Sequence, residues 1–326
     1  MPEGIDLGGE RGRWAGRTYY GRPQVKPAPF ENAVVGTYVF LAGLSGATQL
    51  LSSLLDLTRG PAAGRAVRRG RLLSMLAPTI GAACLIFDLH TPKRFYNMLR
   101  VAKGTSPMSI GTWILMAFSS SSALIAAAHL ASDYVPGFRW LRSVARAAQV
   151  PAAAAGAGLS TYTAALLSAT STPLWAAAPK GLAVRFGASA IASGAAALGL
   201  GERRSRIGRD LDSIAIAALA TELAATLASE ERYRRTGVDR ALHSTPGVLD
   251  QLGGTGIGVL LPLGLYAASL LLTRRRSRTL TTAASLAVLG GSLAMRIGVM
   301  AAGDESARRP EISMGFAQPE NLPKVS

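Results

Sequence analysis

Along the chain, apolar stretches of about 18 to 25 residues recur between short polar segments, and each is long enough for one crossing of a roughly 30 Å hydrocarbon layer. Eight are counted, at 33–57, 72–89, 110–131, 149–169, 182–200, 211–229, 252–273 and 279–302. None alternates polar and apolar positions as the strands of a membrane barrel do. In lipid, moreover, a helix satisfies every backbone donor and acceptor within itself. The pattern predicts an all-α fold, a polytopic membrane protein built as a bundle of eight transmembrane helices. It divides the chain into an extramembrane N-terminal tail (1–30), the membrane domain (31–303) and an extramembrane C-terminal tail (304–326).

Several windows are rich in Ala and Gly. Small residues let helix backbones approach closely in a membrane, and "GLSG" at 43–46, "AAAAGAG" at 152–158 and "GGTGIG" at 253–258 offer such contacts. The last, continued as "GGTGIGVLLPLG", is the stretch best suited to break a helix.

A composition of 49% hydrophobic and 17% charged residues fits this class. A net charge of +16 would direct a soluble protein to nucleic acid, but here the basic residues lie almost entirely between the apolar windows. They read as topology determinants and contacts to membrane lipid headgroups, with no nucleic-acid partner expected. The loops 58–71, 132–148, 201–210 and 274–278 hold 16 of the 35 Lys and Arg, and two of them, "TRGPAAGRAVRRGR" and "RRRSR", contain no acid. Dense basic charge in short loops marks the cytoplasmic side. That places the protein in the cell (plasma) membrane with both termini and the loop 90–109 extracytoplasmic. The first 30 residues contain no apolar core, so no cleavable signal is read there.

The inventory of redox ligands is short. Cys84 is the single cysteine, whereas an iron–sulfur cluster normally takes four thiolates and c-type haem attachment needs a Cys pair. Of His90, His129 and His243, only His129 lies near a span, so no pair of imidazoles is placed to hold a b-type haem. The chain is expected to carry no haem, no iron–sulfur cluster and no metal. No nucleotide loop or hydrolytic triad stands out.

The stretch "DLHTPKRFYNMLRVAKGTSPMSIGTW", 88–113, resembles the signature of the NrfD/PsrC (polysulfide reductase membrane subunit) family. That signature runs Asp-Leu-Gly-x-Pro-x-Arg-Phe, then Asn-Met-Leu, then Ser-Pro-Met-Ser-x-Gly-x-Trp. Asp88, Leu89, Pro92, Arg94, Phe95, Asn97, Met98, Leu99, Ser106, Pro107, Met108, Ser109, Gly111 and Trp113 match in order, and His90 stands where the family favours Gly. "YVFLAGLSGATQLL" from Tyr38 resembles the family's first span, "TYTAALLSATSTPLW" from Thr161 its fourth span and following loop, and "RIGVMAAG" from Arg296 the end of its last. The resemblance implies a haem-free membrane subunit that binds a quinone, menaquinone above all, near one membrane face. A ferredoxin-like iron–sulfur subunit would pass electrons between that quinone and a molybdopterin oxidoreductase subunit. This chain would then be an enzyme subunit with no chemistry of its own beyond quinone turnover. A membrane anchor without a productive quinone site is the alternative, and a small-solute or ion transporter a more distant one, since no repeat of the transporter kind is visible.

Quinone turnover moves electrons together with protons, so it needs an apolar slot, hydrogen-bond donors to the carbonyl oxygens and a proton route. The resemblance puts Tyr38 and Tyr162 at the positions that approach the quinone head. Asp88, at the edge of the second window, either pairs with Lys93 or Arg94 or relays protons. Glu222 and Arg296 lie well inside the sixth and eighth windows, where ionisable groups are costly unless paired or functional. They are either a buried ion pair or part of a proton path. Arg185 and Asp56, near window ends, read as snorkelling or capping charges, and His129 as solvated. The "SSSS" of 119–122 reads as hydroxyls bonded to their own helix or across to a neighbouring one, with the lining of a wet channel as the alternative. Lys93, Arg94, Phe95, Tyr96, Asn97, Arg100 and Lys103 form the partner-docking loop that the resemblance implies, with Pro92 turning the chain and Ser106 or Ser109 capping the third helix.

Overall fold

The computed structural model describes residues 25–28, 30–88, 96–97, 99–100, 102–135, 140–202, 205–271 and 276–321. Seven helical stretches among them are long and apolar enough to cross a membrane. The first of these, Asn32–Cys84, is a hairpin: helix α1 (Asn32–Arg59) ends at Gly60, whose φ of 50° is open to glycine, and the short turn Gly60–Ala63 feeds α2 (Gly64–Asp88). The described residues therefore carry eight membrane-length helices, as the hydropathy pattern predicts. The others are α3 (Pro107–Tyr134), α4 (Leu141–Ser168), α6 (Pro179–Gly199), α7 (Ser205–Thr236), α8 (Thr245–Leu271) and α9 (Arg278–Arg308). Two short helices, α5 (Pro173–Ala177) and α10 (Pro310–Phe316), lie outside them.

Consecutive helices pair as hairpins, α1 with α2, α3 with α4, α6 with α7 and α8 with α9, and α1 sits centrally against α2, α4, α6 and α9. Every second connection lies on one face of the bundle. The face at which α1 begins and α9 ends holds an apolar cluster built on Trp175, Phe186, Met295, Ile312 and Phe316. The opposite face holds a second, built on Leu51, Val67, Leu198, Leu211, Tyr266 and Val288. Ion pairs tie the second face together: Arg59 to Asp210 at 2.8 Å, Arg69 to Glu202 at 2.9 Å and Arg276 to Asp212 at 2.6 Å.

The small-residue stretches lie at close crossings. A Cβ on Gly156 of α4 would stand 2.7 Å from the carbonyl oxygen of Gly46 on α1, and one on Gly258 of α8 would stand 2.8 Å from the Cα of Gly291 on α9. The glycine-rich part of α8, Leu249–Leu260, is wound as a wider π-helix, so it loosens the helix there without ending it.

The helices overrun the apolar windows. α2 and α4 each start eight residues before their windows, at Gly64 and Leu141, with arginines in their first turns. α9 continues to Arg308, and the buried Ile312 and Phe316 of α10 pack behind it. Hydropathy marks only what lies in hydrocarbon, whereas helix hydrogen bonding continues into the polar layer. Residues 1–24 of the N-terminal tail lie outside the described residues; the Ala28 N–H donates to Asp304 Oδ1 at 3.0 Å, which fastens the segment before α1 to the end of α9.

Candidate functional site

Tyr38 stands in the second turn of α1 and Tyr162 in the second-last turn of α4, so antiparallel packing brings both to the face at which α1 begins. Both are half-buried. Neither phenol hydroxyl has a hydrogen-bond partner among the described residues. A phenol with that much apolar cover usually finds one.

Glycines make room for both rings. A Cβ on Gly81 of α2 would stand 3.3 Å from Cδ2 of Tyr38. Gly111 of α3 leaves no such margin, because the tip of the Tyr162 ring, including its hydroxyl, occupies the space where a Cβ would be. Gly111 belongs to the "SPMSIGTW" part of the signature segment, so the motif and the tyrosine it was read alongside meet in space.

Upstream of Gly111, Ser106 caps α3, its side chain accepting from the Ser109 N–H at 3.5 Å, while the Ser109 hydroxyl accepts from the Lys103 N–H at 2.9 Å. Tyr96, Asn97, Arg100 and Lys103 are exposed on the same face as the two tyrosines. Lys93, Arg94, Phe95 and Pro92 lie outside the described residues. Asp88 is the last residue of α2, and its side chain lies outside the description as well.

The sixth and eighth windows contribute a buried polar cluster. Glu222 and Arg296 are 2% and 1% exposed. They form no direct ion pair among the described residues, and Ser189 of α6 links them instead. Arg296 Nη1 donates to Ser189 Oγ at 3.3 Å, and the Ser189 hydroxyl donates to the Glu222 carboxylate. Arg296 also donates to the carbonyls of Ser292 at 3.1 Å and Phe186 at 3.3 Å, and its guanidinium lies 5.3 Å from the Phe186 ring centroid. Gly43 of "GLSG" provides the room, since a Cβ there would stand 3.0 Å from Arg296 Nη2.

Arg185 corrects the reading of a snorkelling charge. It is buried and gives a two-pronged salt bridge to Asp250 at 2.9 and 2.5 Å. Asp250 was not singled out by the sequence because the seventh window opens two residues after it; the acid in "LDQLGGTG" was the available signal. Asp56 likewise is no end cap: it accepts from Arg71 at 3.0 Å and from Gln149 at 2.8 Å. His129 is half-buried against the Arg71 guanidinium. Within "SSSS", the Ser122 hydroxyl is buried without a partner among the described residues.

Two other quoted stretches also meet: the Trp175 ring fills the space above Gly303, and its N–H donates to the Val299 carbonyl at 2.9 Å.

The bundle of membrane-length helices, with polar clusters at both faces and at mid-depth, defines a polytopic integral membrane protein. Over residues 23–305 the chain matches the family model described as Polysulphide reductase, NrfD, and the chain belongs to that family. Members of the family are membrane subunits of molybdoenzyme complexes, which makes this chain a multi-pass membrane anchor of that kind. A search among curated proteins finds no match.

Proposed function

We propose that the chain is the quinone-interacting anchor of a respiratory oxidoreductase. It exchanges electrons between membrane quinone, menaquinone above all, and a peripheral ferredoxin-like iron–sulfur subunit that serves a molybdopterin catalytic subunit. The observation that carries this reading is the pair of half-buried phenols, Tyr38 and Tyr162, unpartnered among the described residues and on one face, with Gly111 of the signature segment against the Tyr162 ring. A phenol O–H can donate to a quinone carbonyl oxygen, and the apolar wall around it suits the ring. A quinol that is oxidised there gives two electrons to the iron–sulfur subunit and releases two protons towards the polar face; reduction runs the same balance backwards. The exposed Tyr96, Asn97, Arg100 and Lys103 offer a docking surface for such a partner, on a face that is extracytoplasmic in the plasma membrane in this reading.

The test is a titration of the assembled complex with menaquinone analogues, comparing Tyr162→Phe and Tyr38→Phe with the parent. Loss of one hydrogen bond to the quinone should weaken analogue binding roughly tenfold. Unchanged quinone-linked turnover in both variants removes the site assignment, and a complex that binds no quinone at all promotes the simple anchor.

A further inference from the structure

On the face opposite Tyr38 and Tyr162, a cavity of about 620 Å³ opens between the α1–α2 turn, the end of α3 and the start of α4. Among the described residues its walls carry Arg68, Arg71, Arg142 and Arg146 and one carboxylate, Asp56. Arg71 is buried at 9% exposure and fixed by its bond to Asp56 at 3.0 Å and by the imidazole of His129. The same Asp56 oxygen also accepts from Gln149 at 2.8 Å. Arg142 leans on Ser132 at 3.3 Å. Arg68 and Arg146 have no acidic partner among the described residues.

The excess of positive charge calls for an anion, and the apolar rim says what kind. Leu57, Leu72 and Leu130 border the cavity and are 78%, 40% and 44% exposed. A basic hollow at helix ends with bare leucines beside it matches a molecule that is anionic at one end and aliphatic at the other. The topology rule alone scatters basic residues through loops; here two separate hairpins turn arginines onto one hollow, and one of those arginines is buried and held in place. We infer that this cavity is a binding site for an anionic phospholipid, with the phosphodiester between the arginines and the acyl chains along the leucines. A phosphate group is the chemistry it shares with a free anion, and the leucine rim favours the lipid. A zwitterionic choline lipid brings an ammonium group that the guanidiniums repel.

The experiment uses the purified full chain, stripped of lipid in mild detergent, and follows its thermal unfolding and its lipid adducts by native mass spectrometry. Three probes are compared: phosphatidylglycerol, phosphatidylcholine and inorganic phosphate without lipid. Phosphatidylglycerol should raise the unfolding temperature and leave a bound adduct where phosphatidylcholine does neither. In Arg68→Gln/Arg146→Gln the affinity should fall at least roughly tenfold, while Arg235→Gln/Arg240→Gln on the other face keeps it. Both residues of the first pair are exposed, and Arg146→Gln alone carries the comparison if the double variant does not fold. Equal effects of the two lipids, or full binding in the cavity variants, would overturn the site. Stabilisation by inorganic phosphate without any from lipid would assign it to a free anion and overturn the lipid.

Discussion

Arg185 and Asp250 are each nearly out of reach of solvent, and two hydrogen bonds join them. Asp250→Asn removes the charge and leaves a buried guanidinium without compensation, which costs about 3–5 kcal/mol; the unfolding temperature in detergent should drop accordingly. Replacing both by apolar residues of similar size should recover most of that loss, because the desolvation of both charges disappears with them. Glu222 is held differently, through the Ser189 hydroxyl. Glu222→Gln keeps an acceptor for Ser189 and removes the charge, so a structural network predicts lower thermal stability with quinone-linked turnover retained. Lost turnover at unchanged stability would instead mark Glu222 as part of a proton path. At Gly111, a valine would displace the Tyr162 ring, and analogue affinity should fall as far as in Tyr162→Phe while Gly104→Val, at an open position, leaves it intact. At this scale the sequence exposed Glu222, Arg296 and the two tyrosines, because charge in an apolar window and a specific motif are local signals. The Asp250 partner and the Ser189 link were hidden, since they depend on which helix faces which and on where a window opens.

Among the helices, α1 and α4 approach closely for a legible cause. Gly46 and Gly156 face each other with backbone against backbone, and the Ser160 hydroxyl of α4 reaches across to the Gly43 carbonyl of α1 at 3.5 Å. Without a hydrophobic drive between helices in lipid, such contacts carry much of the association. Gly46→Val should push α1 from α4 at a cost of about 1–3 kcal/mol, read as a lower unfolding temperature and as weaker cysteine cross-linking between the two helices. Gly264→Val, with open space at its Cβ, should be silent. The three small-residue stretches were visible in advance because close packing demands particular residue types. The helix ends were not: the arginine-bearing first turns of α2 and α4 look polar to a hydropathy window although their backbones are helical.

For the molecule as a whole, the number of crossings and the sharing of loops between two faces follow from hydropathy alone, while the direction of the bundle across the membrane rests on the density of basic residues in short loops. The geometry adds that those loops are braced: Arg59 with Asp210, Arg69 with Glu202 and Arg276 with Asp212 pair across them, so part of the positive charge there also holds hairpins together. That division of labour makes the orientation a separate question from the fold. Labelling answers it in a Cys84→Ser background, with single cysteines at Ser277, on the α8–α9 connection, and at Lys103, before α3. An impermeant thiol reagent applied to intact cells should modify Lys103→Cys and leave Ser277→Cys untouched until the membrane is opened. Labelling of both from one side would break the eight-crossing count. A reversed pattern would keep the fold but turn the candidate quinone face, and the partners it docks, to the cytoplasm.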